Sequence, residues 1–319
     1  MQVANAHHVP VMYDQMLSFM HPKDGETYVD GTFGAGGYTR GLLEASNCNV
    51  IAIDRDKQVL STAGAFTKEF SGRFTLLLGA FGQMEQLLKD HGVEKVDGIV
   101  LDIGVSSMQI DQAERGFSFK QDGPLDMRMS GEGPDAAYFV NTRSEEEIAD
   151  VIFQYGGERK SRWIAKAIVE KRIETPFTRT GQLAELVRSI VRQGKSKVDP
   201  ATRTFQAIRI WVNDELGELE RALEAAEHVL KPGGRLVIVT FHSLEDALVK
   251  RFLKARSPKK EHVSKYGKNT EKSLEKHETF RILTNRSVLP EREEIKLNVR
   301  ARSAKLRAAM RTEVIGEGT

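Results

Sequence analysis

Over the first third of the chain, apolar residues fall in short uninterrupted runs, each closed by an acid or a glycine turn. Val29 leads into Asp30, Asn49 to Ile53 into Asp54, Phe74 to Leu78 into Gly79-Ala80-Phe81-Gly82, and Val96 to Leu101 into Asp102. Between the runs the spacing is helical: Leu42 and Leu43 suit a short helix, Asp56 opens another through about Phe70, and a third runs from Gln83 to about His91. Strand and helix alternate four times, and the strands are apolar throughout rather than at every second position. That pattern predicts a parallel sheet covered on both faces. A lead-in helix, Asp14 to Met20, stops before Pro22.

From Gly104 the pattern changes for about a hundred residues. A loop rich in Gly, Asp and aromatic residues comes first, and helical signals follow without strand-like alternation. Ser144 with Glu147 makes a capping box for a helix through Phe153; Trp163, Ala167 and Ile168 mark one face of a second helix, and Leu183, Leu186, Val187, Ile190 and Val191 mark a third. The α/β pattern resumes with one helix from about Phe205 to Leu230, a fifth core strand from Arg235 to Phe241, and a helix from His242 to about Ala255. Arg256 to Lys276 is Lys-rich and reads as a loop; Thr279 to Leu283 and Ala304 to Ala309 are two further strands. The predicted architecture is an α/β core of residues 1–107 and 208–319, interrupted by a helical domain of residues 108–207.

Composition narrows the picture only locally. Lys and Arg number 47 against 45 Asp and Glu, so the net charge of +2 favours no class of partner. The single cysteine, Cys48, excludes an internal disulfide. The N-terminus lacks the basic and apolar regions of a signal peptide, and no apolar run has the length of a membrane span. A cytoplasmic protein without membrane association is expected. His7 and His8 have no Cys or carboxylate cluster at ligand spacing, so no metal site is expected. The stretch from Glu158 to Arg209 is different: thirteen Lys or Arg stand against five Asp or Glu.

The chemistry centres on Asp30-Gly-Thr-Phe-Gly-Ala-Gly-Gly37, a strand, a turn free of Cβ atoms and a helix start. A glycine turn with an acid ending the second strand, here Asp54, serves two cofactor classes. Dinucleotide enzymes set a pyrophosphate on the helix N-terminus, whereas S-adenosylmethionine enzymes use the glycines for close approach and the acid for the ribose. The order Gly31-x-x-Gly34-x-Gly36-Gly37 departs from Gly-x-Gly-x-x-Gly. Asp30 would repel a pyrophosphate and suit the amino and sulfonium groups of a methyl donor. Ligands of open parallel sheets bind beyond the carboxyl ends of the strands, where Asp30, Asp54, Phe81 and Asp102 fall. Phe81 is placed either to stack on an adenine or to close its strand's core.

Six motifs in order carry a resemblance. With the glycine turn stand Leu101-Asp-Ile-Gly-Val-Ser-Ser107, Glu114-Arg-Gly-Phe-Ser-Phe119, Asp122-Gly-Pro-Leu-Asp-Met-Arg128, Thr202-Arg-Thr-Phe-Gln-Ala207 and Phe241-His-Ser-Leu-Glu-Asp246. Over nearly its whole length the chain resembles the bacterial ribosomal RNA small-subunit methyltransferase H family, also called MraW. The resemblance implies a class I, Rossmann-like core with an inserted helical substrate domain. It also implies S-adenosylmethionine-dependent methylation of the N4 amine of a cytidine in the decoding region of 16S ribosomal RNA. Carried over by position, donor contacts fall on Gly36, Gly37, Tyr38, Asp54, Phe81, Asp102 and Gln109, beside Asp30 and Gly34 of the turn. Tyr38 stands where the family commonly has His, which leaves backbone contact intact and removes any imidazole-specific role.

A cytosine amine is a poor nucleophile, so an enzyme should accept a hydrogen bond from it and fix it in line with the methyl group. Asp102 is the expected acceptor by motif position, with Asp126 and His242 as further candidates for the proton. For RNA, the basic insertion suggests phosphate contacts at Arg128 and Arg203, and Phe117, Phe119 and Trp211 are candidates to stack on an unpaired base. The expected partner is the small ribosomal subunit, and a homodimer is left open. Two rivals remain at this point: an NAD-dependent oxidoreductase, and a non-catalytic RNA-binding or assembly protein on the same fold.

Overall fold

A computed structural model describes residues 10–193, 198–257 and 278–313; His7, His8 and residues 258–277 of the Lys-rich segment lie outside them. The chain divides into two compact units, one of Met1–Gly104 with Glu218–Thr319, the other Val105–Gly217.

The first unit holds a seven-stranded sheet in the order β3-β2-β1-β4-β5-β7-β6. Its strands are β1 Thr27–Asp30, β2 Asn49–Asp54, β3 Phe74–Leu78, β4 Val96–Asp102, β5 Leu230–Thr240, β6 Phe280–Ile282 and β7 Lys305–Arg311. Strands β1 to β5 run parallel, and β7 is antiparallel to β5 on one side and to β6 on the other. The apolar runs of β1, β2 and β4 are buried on both faces, as expected, whereas β3 at the sheet edge buries only Phe74. Val50 and Ala52 join one core cluster with Met12, Met16, Leu42 and Phe66, while Ile51 and Ile53 are buried on the opposite face of β2. The helices that cover the sheet are α1 Tyr13–Met20, α2 Gly37–Ala45, α3 Leu60–Glu69, α4 Met84–Asp90, α11 Glu215–Val229, whose first turn falls in the other unit, and α12 Ser243–Arg256; the short α13 Arg292–Leu297 buries no residue. Strand β5 begins earlier than expected: Leu230 pairs with Val96, Gly233 turns at φ 83°, and pairing resumes at Arg235 opposite Gly98.

The second unit is helical: α5 Ser107–Asp111, α6 Ala136–Thr142, α7 Glu145–Gly156, α8 Ser161–Glu174, α9 Thr180–Ile190 and α10 Thr202–Asn213. Its core gathers Phe139, Ile152, Ile168, Leu183, Val187 and Ile208. The expected capping box is present, with the Glu147 amide donating to Ser144 Oγ at 3.2 Å and the Glu147 carboxylate accepting from the Ser144 amide at 2.9 Å.

Three expectations need correction. The single helix from Phe205 to Leu230 is two, α10 and α11, because Asp214 takes a left-handed conformation at φ 47° and ends the first. The helical unit extends to Gly217 rather than 207, since Ile208 and the rest of α10's buried face belong to its core. On α8 the buried stripe is Ser161, Ile164, Ala165 and Ile168, with the i, i+3, i+4, i+7 spacing of one helix face. Trp163 lies off that stripe and is 69% exposed.

Candidate active site

Strand order reverses between β1 and β4, and a parallel sheet opens its ligand crevice at that point, beyond the carboxyl ends of the strands. Asp30 ends β1 and Asp102 ends β4. Asp30 is completely buried, and its two oxygens have protein donors: Oδ1 accepts from the Thr32 amide at 3.1 Å and Oδ2 from the Thr39 hydroxyl at 2.7 Å. Burial pushes its carboxyl up to about 6 despite those bonds. Asp30 therefore orders the glycine turn rather than reaching out from it.

Asp102 is held differently. Its amide donates to Thr32 Oγ1 at 2.7 Å, which ties the ends of β4 and β1 together, yet its Oδ1 is buried without a donor from any described residue. Burial, then the neighbouring Asp30 and Glu245 carboxyls, push Asp102 up to about 8. A buried carboxyl with an idle oxygen is costly unless something else satisfies it. A cation or an N–H donor would do so.

The glycine turn joins these acids to Asp54. The Gly34 amide donates to Asp54 Oδ2 at 2.7 Å, and the Asp56 amide to Oδ1 at 2.9 Å. Burial still raises the Asp54 carboxyl above its ordinary range. Gly36 sits at φ 80°, and a Cβ there would lie 2.5 Å from the Phe66 ring; at Gly37 it would lie 2.1 Å from Pro10. The protein's own packing thus forbids side chains at both positions. Helix α2 begins at Gly37 with no side-chain cap, so the amides of Gly37 and Tyr38 sit at a helix N-terminus without one. The Tyr38 side chain turns inward instead: it is buried, and its hydroxyl donates to the Val11 carbonyl.

Phe81 follows β3, half-buried, with its Cβ close to the space beside Gly31. The residue that fixes it was not visible in the sequence. Glu218, buried at the start of α11, accepts from the Gly82 amide at 2.9 Å through Oε2, and its Oε1 lies 3.5 Å from Arg55. One carboxylate thereby holds the turns after β2 and β3, the two that carry Asp54 and Phe81. Nothing in its local sequence separates it from the other acids of an amphipathic helix.

His242 is the N-cap of α12, its Nδ1 accepting from the Glu245 amide at 3.4 Å. The buried Glu245 accepts from the Phe241 and His242 amides at 2.7 and 3.1 Å. This is a capping role, in place of the proton acceptance expected of His242.

The remaining expected residues belong to the helical unit. Gln109 is buried in a capping box with Ser106, its side-chain oxygen accepting from the Ser106 amide at 3.0 Å. Burial would raise Asp126, but the Arg128 fork, at 2.9 and 2.7 Å, holds its carboxyl below the usual range, which makes it a weak base. Arg128 is engaged by the same fork and by the Gly133 carbonyl at 3.0 Å. Phe119 packs edge-on against Phe205 at 4.7 Å, Trp211 against Phe139 at 4.4 Å, and Phe117 lies under Arg115 and against the core. These three aromatics are packing residues here. Arg203 alone of the expected contacts is open, its side chain 60% exposed.

The strand order with an antiparallel β7, the glycine turn and the acids at successive strand ends define a class I, Rossmann-like methyltransferase core with a helical insertion. Residues 5–312 match the MraW methylase family, and the chain belongs to that family. It is 55% identical over 308 residues to the "Ribosomal RNA small subunit methyltransferase H" of Rhodospirillum rubrum, covering 96% of this chain and 94% of that one. The proteins of the same name from Paramagnetospirillum magneticum and Rickettsia massiliae are 54% and 53% identical, covering 96% and 95% of this chain and 96% and 97% of theirs. A solved rRNA methylase from Streptococcus thermophilus aligns over 94% of both chains at 12% identity, with a TM-score of 0.41, too low to argue from. No helix among the described residues is long and apolar enough to cross a membrane.

Proposed function

We propose that the chain transfers a methyl group from S-adenosylmethionine to the exocyclic N4 amine of a cytidine in small-subunit ribosomal RNA. The observation that carries the reading is the buried, undonated Oδ1 of Asp102 at the reversal of strand order. The donor set fits this cofactor: acids rather than phosphate-binding cations surround the turn, with Asp54 for the ribose hydroxyls and Phe81 for the adenine face. The amides of Gly37 and Tyr38 would meet the donor's polar end. When bound, S-adenosylmethionine supplies an electrophilic methyl on a sulfonium. Asp102 accepts a hydrogen bond from the amine, which counters delocalisation of its lone pair and fixes its direction. In its ionised form the same carboxylate takes the proton that the amine loses on transfer. Asp30 and Thr32 are positioning residues, since they fix the backbone on either side of the reversal.

Labelled S-adenosylmethionine incubated with small subunits from a deletion strain should place label on N4 of one cytidine, mapped by mass spectrometry of digested RNA. Label elsewhere, or binding of NAD in preference to S-adenosylhomocysteine, would overturn the reading.

A further inference from the structure

Five of the thirteen cations counted between Glu158 and Arg209 are engaged within the helical unit. Lys160 donates to the Ile190 carbonyl at 2.7 Å, and Arg172 to the carbonyls of Val140 and Arg143 at 2.9 and 2.7 Å. Arg179 pairs with Asp122, Arg188 with Asp199 and Arg209 with Glu215. Among the described cations that face outward, three lie together at the start of α8. Arg159 and Arg162 are exposed, Lys166 follows one turn on, and Trp163 stands among them with 69% of its surface open. Arg203 joins the group across the α7–α8 turn. Its guanidinium lies 3.9 Å from the buried Glu158, and the Arg203 carbonyl lies 2.4 Å from where a Cβ on Gly156 would be.

An indole left open to water is unusual, because its large apolar face is normally buried. Three features make this one a platform. The helix buries the opposite stripe, so Trp163 lies off its packed face. Apart from Glu170 at i+7, the flanking side chains are long cations, which suit phosphates on either side of a stacked base. Lys166 at i+3 shares the face of Trp163, and Arg162 and Lys166 are i, i+4 neighbours. Arg–Trp–Lys spacing of this kind matches the design of single-strand readers, in which a ring takes the base and cations track the backbone. The cations around the indole favour a polyanion over an apolar protein face.

We infer that Trp163, with Arg159, Arg162, Lys166 and Arg203, forms a binding site for unpaired RNA on the helical unit, with a base stacked on the indole. The inference rests on the proposed action on ribosomal RNA and names the contact surface that this reading lacked once Phe117, Phe119 and Trp211 proved to be packed. The test uses the full chain, small subunits from a deletion strain, and a single-stranded RNA oligonucleotide. Trp163→Ala should weaken binding of both RNAs about tenfold. Trp163→Phe should keep most of the affinity, and S-adenosylhomocysteine binding should be unchanged in both variants. Arg159→Gln with Arg162→Gln should weaken binding further and flatten its dependence on salt by about two charges. Unchanged RNA binding by Trp163→Ala would overturn the inference, as would a loss of subunit binding with oligonucleotide binding intact, which would point to a ribosomal protein. Because these readouts are of binding, they stand apart from transfer. Wild-type protein that binds the RNAs but never methylates them would remove the proposed reaction and leave the surface standing.

Discussion

In the sheet unit the acids that end β1 and β4 are drawn inside, Asp30 with both oxygens donated and Asp102 with one left idle. In the helical unit the informative groups point outward, an indole among cations on the open side of α8. The contrast follows from what each has to do. A carboxylate that must meet a cation or steer an amine gains strength from low dielectric, and burial has to be tolerated to obtain it. A surface that must find a large polyanion gains from exposure, because long-range attraction and counterion release both act through water. On the proposed reading, chemistry and recognition sit at opposite extremes of burial within one chain.

The sharpest way to break the sheet side of this contrast is to remove the idle oxygen's charge. Asp102→Asn keeps the shape and should lower kcat by at least about 100-fold while S-adenosylhomocysteine still binds. Near-normal turnover with intact donor binding would remove Asp102 from the reaction.

On the helical side the corresponding blow is structural. Phe119→Ala empties the contact with Phe205 and should cost about 2 kcal/mol of stability in the helical unit, seen as an earlier thermal transition. RNA affinity measured well below that transition should stay put. A variant that kept its stability and lost RNA binding would return Phe119 to the role expected from sequence and weaken the case for Trp163.

That pair of aromatics shows what was legible and what was not. The parallel sheet and the acids at the strand ends could be read, because each apolar run is closed by an Asp or a glycine turn; the strand order could not, because it depends on pairings between runs far apart in the chain. The glycine turn was legible as well: φ 80° at Gly36 admits little else. Whether Trp211 or Trp163 faces inward was not legible, since each sits in a helix and a shift of one position moves it about 100° around the axis; Phe119 sits in a loop, where no period assigns a face. Nor was Glu218, whose partners at Gly82 and Arg55 lie far away in sequence. Asp30 was legible as important but not in its role, because only the fold brings Thr32 and Thr39 to its oxygens.

Acidity offers a finer probe of the buried side. Burial first, then Asp30 and Glu245, raise Asp102 from 3.8 to about 8 in the folded chain, and burial raises Asp30 to about 6. The folded state therefore binds more protons than the unfolded one across that window. Unliganded protein should be most stable below about pH 4 as far as these two groups go, and should lose that contribution as pH climbs through 6 and then 8. A bound sulfonium favours the ionised form, so the preference for S-adenosylmethionine over S-adenosylhomocysteine should grow with pH up to about 8, by at most about tenfold per unit. Asp102→Asn should flatten it. A preference independent of pH in the wild type would mean that Asp102 does not face the sulfonium.

The smallest effect tests the open side. Glu170 lies one turn beyond Lys166, 3.8 Å from its ammonium, with both side chains more than half exposed. An exposed i, i+4 pair contributes only about 0.3–0.5 kcal/mol to the helix, so Glu170→Gln should scarcely alter stability. If α8 is the face that meets RNA, the same change removes an anion from beside the phosphates and frees Lys166 to contact them. Affinity for single-stranded RNA should then rise about twofold at low salt, and the gain should vanish at high salt as screening shortens the reach of the charge. A protein-binding face would not respond with that salt dependence. An RNA face elsewhere on the helical unit would not respond at all, and the exposed indole would be left without a reason.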